Sequence, residues 1–373
     1  MLTLLLAAQG LAATLTVGPT GDYATMQDAA NVASAGDTLQ LAAGVYSDCL
    51  DATGLDLTIS GAGAQSTFLY GACANGTIYA DTGTLTIEAV TLENRTGPSL
   101  RVLNSTTTLS FVEVFGGTGT LGAVSIVDGV TLIENSDISF NDGEAGAGIY
   151  AVQQVASDTS LTIRNSTFLE NSATISGGAV ATRGIQTVEI TGSTFANNAS
   201  FSTSGAVSVT GADSVFIGGS TFEDNVASRS AGAVSVSTSL SLTVDTSSFT
   251  QNIGGSLVGA LWAHADQLHL SSVQFTQNTT DGHTGALHVE ADYASLTDVL
   301  LDQNTSATHA GAAEMDVTEL EIFDSTFSNN NTNGQGGALR LVTDNAVIEG
   351  TTFSMNRAGA NGGIFHVNSE ADI

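Results

Sequence analysis

From residue 166 onward the chain says nearly the same thing eight times. STFLENSATISGGAV, STFANNASFSTSGAV, STFEDNVASRSAGAV and SSFTQNIGGSLVGAL are followed by VQFTQNTTDGHTGAL, VLLDQNTSATHAGAA, STFSNNNTNGQGGAL and TTFSMNRAGANGGIF. The units carry Asn171, Asn198, Asn225, Asn252, Asn278, Asn304, Asn330 and Asn356, and Asn141 opens the series. Seven residues after each stands a glycine: Gly148, Gly178, Gly205, Gly232, Gly259, Gly285, Gly311, Gly337 and Gly363. Successive glycines lie 30, 27, 27, 27, 26, 26, 26 and 26 residues apart, and Gly122 extends the frame by another 26. A unit this short cannot bury an apolar face alone, so the units must stack. The period is too short for helix-pair repeats of about 33 residues or more, and the Leu-x-x-Leu pattern of leucine-rich repeats is absent.

Within each unit apolar residues alternate with period two, the mark of a strand. Leu161/Ile163, Val188/Ile190, Val215/Ile217, Leu242/Val244, Leu268/Leu270 and Leu320/Ile322 recur in one slot. Val124/Ile126, Val207/Val209, Val234/Val236, Leu287/Val289, Leu339/Leu341 and Phe365/Val367 recur in another, after the glycine. A third short strand carries Phe168, Phe195, Phe222, Phe249, Phe275, Phe327 and Phe353, with Leu301 in one unit. Three short strands per coil predict an all-β, single-stranded parallel β-helix. Stacking at ~4.8 Å places the phenylalanines above one another as an inner stack. The asparagines then form a ladder, with left-handed turn geometry open to them. The glycines permit a tight corner and close approach. A three-residue insertion falls in VQQVASDTS, so one turn of the coil accepts length change.

The two ends differ from the body. Residues 1–13 read as a secretory leader, although its basic n-region is lacking. Residues 14–48 do not repeat; helical spacing from Tyr23 to Ala33 predicts an amphipathic cap over the first coil. Residues 49–121 hold less regular coils, and 122–373 the regular repeats. The chain stops at Ile373 where another coil would begin and no cap is visible, which reads as a fragment of a longer protein or an edge covered by a partner. No run is long enough for a transmembrane helix. Cys49 and Cys73 are a candidate disulfide for an oxidising compartment, two free thiols being the alternative.

Charge narrows the partners. Thirty-seven acids against seven bases give −30, and there is no lysine. Nucleic acid is excluded, because its binding rests on basic residues meeting phosphates. The same absence removes any phosphate loop that depends on lysine.

The Phe-x-x-Asn and Gly-Gly-Ala motifs, standing here as FLEN, FANN, FEDN, FTQN, FSNN and FSMN with GGAV at 177–180 and GGAL at 336–339, resemble the repeats of chlamydial polymorphic outer-membrane proteins. The likeness spans about residues 136–367. Tyr23-Ala-Thr-Met-Gln-Asp-Ala, then Gly36-Asp-Thr-Leu and Gly44-Val-Tyr, is similar to the opening of pectin-lyase-like proteins. The resemblance implies a right-handed parallel β-helix, exported, of the kind found in surface passenger domains and polysaccharide-active enzymes.

Outward positions after each glycine are where chemistry would sit. The third-place column reads Ser125, Ala151, Ala181, Ser208, Ser235, Trp262, His288, Glu314, Arg340 and His366; the fifth-place column ends in His264, Glu290, Asp316, Val342 and Asn368. Trp262, His264, His288, Glu290, Glu314, Asp316, Arg340 and His366 form a candidate groove for extracellular polysaccharide or cell-surface glycans. The expected role is that of a secreted or surface module with a structural, adhesive or glycan-binding function. The alternative is a glycoside hydrolase using paired carboxylates, or a polysaccharide lyase with Arg340 as base. His283 and His309, each two residues before its glycine, read as surface turn residues ahead of a metal or pH-sensing pair. No cofactor is expected, with calcium at Asp48, Asp51 and Asp56 as the one candidate.

Overall fold

The computed structural model describes residues 12–155, 158–363 and 365–367. The leader expected in residues 1–13 therefore falls almost wholly outside the described residues, as do the chain's last six. The chain winds into a right-handed parallel β-solenoid of three sheets, with 19, 13 and 10 strands. Every strand pairing is parallel.

Each coil has three strands, but they divide differently from the sequence expectation. From Val207 on, the segment after the glycine and the segment before the phenylalanine run as one long strand, as in Val234–Asp245, Leu261–Ser271 and Leu287–Thr297. The bend between the two halves is absorbed as a break in register, so the ladder resumes beyond it. In the two preceding coils the strand splits, at Ile149–Val152 and Ser160–Arg164 and at Val180–Arg183 and Thr187–Thr191, and the insertion lies in the first of these gaps. The third strand is a two-residue segment just after the ladder asparagine, such as Val226–Ala227 or Thr279–Thr280. Residues so short and mixed in character carry no alternation to read.

The inner columns sit as the repeat requires. Phe168, Phe195, Phe222, Phe249 and Phe275 are fully buried, with successive ring centroids 4.7, 4.9, 4.8 and 4.8 Å apart and near-parallel planes. Leu301 interrupts the stack, and Phe327 and Phe353 resume it at 4.8 Å. Asparagines 171 to 330 are fully buried and saturated. Asn225 Nδ2 donates to Asn252 Oδ1 at 3.0 Å and to the Phe195 carbonyl at 2.9 Å. Its Oδ1 accepts both the backbone N–H and Nδ2 of Asn198, each at 3.0 Å.

Left-handed backbone falls one residue earlier than expected. Glu170, Asn197, Asp224, Gln251, Gln277, Gln303 and Asn329, each just before a ladder asparagine, have φ between 52° and 57°. That residue turns the corner, which leaves the asparagine side chain free to point inward. A second ladder, of serines, flanks the phenylalanine strand on its other side: the N–H groups of Ser166, Ser193 and Ser220 donate to the next serine Oγ at 3.1–3.2 Å. The conserved-length corner at the glycine depends on close approach. A Cβ on Gly232, Gly259 or Gly285 would lie 1.9 Å from the next coil's carbonyl oxygen.

One coil departs from the glycine frame. Val124 pairs with Ile149, and Ile149 with Val180, so Ala147 rather than Gly148 occupies the corner slot there. Tyr150, and not Ala151, is then the third-place residue of that coil. At the amino end a helix spans only Met26–Ala30, capped by Thr25, shorter than the 23–33 expected. The backbone continues as i→i+3 turns through Val32 and Ala33, and Met26, Ala29 and Ala30 are buried. Cys49 and Cys73 lie with Cα atoms 6.4 Å apart and their sulfurs in contact, a separation a disulfide spans.

Candidate functional site

Parallel register brings the third-place residues of four coils into one line: Trp262 pairs with His288, His288 with Glu314, and Glu314 with Arg340. His366 continues the line by backbone pairing with Arg340; its side chain and Asn368 lie outside the described residues. His264, Glu290 and Asp316 align in the fifth-place column. The sequence-predicted groove residues are thus neighbours.

Their exposure is uneven. Glu314 retains only 8% side-chain exposure, His288 16% and Arg340 20%. The segment leading into each glycine folds over the third-place column. Thr284 Oγ1 donates to Glu314 Oε2 at 3.0 Å, and His309 Nδ1 lies 3.1 Å from the same oxygen. Arg340 Nη1 bonds the other oxygen, Oε1. His288 sits between two acids, with Nδ1 3.7 Å from Glu314 Oε2 and Nε2 3.3 Å from Glu290 Oε1. His264 Nδ1 meets the second Glu290 oxygen at 3.3 Å.

This chain of pairs sets the protonation states. Burial of the Glu314 carboxyl works to raise its pKa, but His288, His309 and Arg340 together outweigh it and hold the group well below the usual carboxylate range. Burial of His288 works the opposite way, and Glu314 and Glu290 overcome it, so that imidazole titrates above its ordinary value. His283 is lowered, first by burial and then by the charge of His309.

Beside the line, at the bend of the long strands, runs an open groove of ≈ 390 Å³. Ala265, Ala291, Val317 and Thr343 make its floor, and exposed His264, Asp266, Asp292, Asp316 and Asp344 its walls, together with Glu290. Trp262, half-buried, lies outside this lining but beside His264, its ring 6.2 Å from that of His264 with only 11° between planes. The expected calcium ligands are engaged separately. Asp48 accepts from Met26 N–H, Asp51 from Thr53 N–H and Asp56 from Thr84 N–H.

Two features escaped the sequence reading. Thr284 and His309 reach Glu314 from a neighbouring segment, for which the recurrence of histidine at 283 and 309 was the only trace. The N-terminal half of the column is also less bland than the glycine frame implied, since register places Tyr79, Arg101 and Tyr150 in it. Among the described residues no helix is long and apolar enough to cross a membrane.

Residues 122–306 match the family model described as the right handed beta helix region. That match and the three-sheet coil agree on the fold. No curated protein matches the chain, so the likeness to chlamydial repeats rests on the motifs quoted above. Among solved structures, pectin methylesterase from carrot is 11% identical with a TM-score of 0.34, over 72% of this chain and 83% of its own. Pectin methylesterase PemA from Erwinia chrysanthemi is 13% identical at 0.38, over 65% and 80%. The catalytic unit of the GH87 alpha-1,3-glucanase from Streptomyces thermodiastaticus is 13% identical at 0.42, over 90% and 65%. Likeness at this level says nothing about chemistry.

Proposed function

We propose that this chain is an exported β-helix module that binds glycans along the groove between Trp262 and Asp344. The observation that carries the reading is the pairing of an aromatic plane with a row of hydrogen-bonding acids on a rigid, open surface. Trp262 and His264 present near-parallel rings at one end, and Glu290, Asp292, Asp316 and Asp344 follow along the helix axis. A sugar ring offers an apolar face to the indole and hydroxyl donors to the carboxylates. The excess of acid favours neutral or amino-substituted sugars over polyuronates, which would be repelled.

Glu314 is not placed to be the general acid of a hydrolase, because Arg340 engages one of its carboxylate oxygens and Thr284 and His309 the other. Arg340, the base a lyase would use, is committed to the same carboxylate.

Binding of neutral, amino-sugar and uronate polysaccharides to the purified protein tests the proposal, with chain cleavage followed in parallel with and without calcium. Trp262→Ala is expected to weaken binding at least ten-fold. Unchanged affinity removes the groove. Cleavage abolished by Glu314→Ala or Arg340→Ala overturns the non-enzymatic reading.

A further inference from the structure

His283 and His309 occupy one slot in successive coils, 26 residues apart in sequence. The coils on either side place Leu257 and Gln335 there, so the histidine pair is confined to two coils. Their rings stack with centroids 4.2 Å apart and 25° between planes. One nitrogen from each ring and a carboxylate oxygen of Glu314 all fall within 4.8 Å of one another. The carboxylate is divided between two duties: Oε1 faces Arg340, and Oε2 faces His309.

We propose that His283, His309 and Glu314 form a binding site for a divalent transition-metal ion, with zinc the ion that suits its two imidazoles and one carboxylate. Zinc–ligand bonds of about 2.0–2.2 Å in a tetrahedron put ligand atoms ~3.3 Å apart. The 3.1 Å between His309 Nδ1 and Glu314 Oε2 already matches. The widest pair must close by ~1.5 Å for that geometry, a movement that ring rotation of two partly exposed histidines supplies. Oε2 also accepts from the Thr284 hydroxyl, so binding replaces a hydrogen-bonded contact with a coordinate bond. The Arg340 pairing on Oε1 holds the carboxylate in place without occupying the coordinating oxygen, the outer support that metal ligands require. Two histidines and one glutamate leave a fourth position open to water or an external donor. His288, whose Nδ1 is 3.7 Å from Oε2, lies beside the same carboxylate oxygen. Imidazole and carboxylate donors suit zinc, where an all-oxygen set would suit calcium.

The test needs no glycan, so its outcome is independent of the groove. Calorimetric titration of the metal-free protein with zinc chloride is expected to show one saturable ion per chain. His283→Ala, His309→Ala and Glu314→Gln should each weaken it at least ten-fold. His269→Ala, whose ring pairs with Ser295 instead, should leave it unchanged. Cobalt(II) added to the unsubstituted protein should give the intense visible absorption of a tetrahedral site, which guards against a variant that fails to fold. Absence of saturable zinc binding, binding that survives the His283→Ala/His309→Ala double change, or an equal loss in His269→Ala would overturn the proposal.

Discussion

Replacing Asn225 by alanine isolates what the asparagine ladder contributes. In the native coil the Oδ1 atom of Asn225 accepts the backbone N–H and one Nδ2 hydrogen of Asn198. Alanine leaves both donors without that partner in a column that has no exposure. Each buried unsatisfied donor costs about 1–3 kcal/mol, so the change should destabilise by ~2–6 kcal/mol. Asn252 Oδ1 loses one donor but keeps the backbone N–H of residue 225, and so adds little. Asn225→Asp separates hydrogen bonding from shape. It preserves the accepting oxygen but turns a second oxygen toward the Phe195 carbonyl and Asn252 Oδ1, and should be at least as damaging at neutral pH. The assay is guanidinium denaturation followed by the emission of the single tryptophan, Trp262, in the coil beyond Asn252. A loss below ~1 kcal/mol in Asn225→Ala would mean that water or a relaxed neighbour satisfies those donors, and the reading of the ladder as a sealed polar seam would fail.

Phe222→Ala removes one ring from the middle of the stack and should cost about 3–5 kcal/mol through the cavity it leaves; an unchanged melting temperature counts against a close-packed bore. Gly259→Ala places a Cβ 1.9 Å from the Gly285 carbonyl oxygen, so it should lower the melting temperature far more than a surface glycine change such as Gly119→Ala, where the nearest atoms lie 3.9 Å away. Asp37 accepts the backbone N–H of Ser34, which lowers its pKa below 3.8. Its contribution is therefore present above that value and is lost as pH falls through the depressed folded pKa. Thermal melts of Asp37→Asn should show a deficit at neutral pH that narrows in acid, and a deficit independent of pH would refute this assignment.

The period carried most of the architecture. Phenylalanine, asparagine and glycine recur because each stacks on its own copy, so columns visible in the letters are columns in space. What escaped were properties of the backbone between columns. The left-handed corner residue is Glu170, Asn197, Asp224 or Gln251, all exposed acids or amides, a recurrence overshadowed by the asparagine that follows each of them. The shift at Ala147 was hidden because a glycine stands one place later and mimics the frame. At the candidate site, alternation correctly set Trp262, His288, Glu314 and Arg340 in one line. It could not show that the preceding segment, with Thr284 and His309, closes over them, because period two reports which side of a strand a residue takes and not what later covers that side.

The asparagine seam also constrains how such a chain can change length. Its asparagine-to-asparagine bonds join only neighbouring coils, each linking residues 26 to 30 positions apart. Removal of one whole unit brings the next asparagine into the vacated place with the same partners, and no distant part of the molecule registers the loss. A deletion of part of a unit would break the seam at every level at once, since corner, serine and phenylalanine would all fall out of phase. Drift in length falls outside these columns, at the bend of the long sheet, where the extra residues after Val152 lie, and between asparagine and corner, where the Asn141 coil is one residue shorter and its register shifts. Growth by whole coils and variation at these places are therefore the ways this sequence can evolve while remaining folded, and the bend lies on the same edge as the groove.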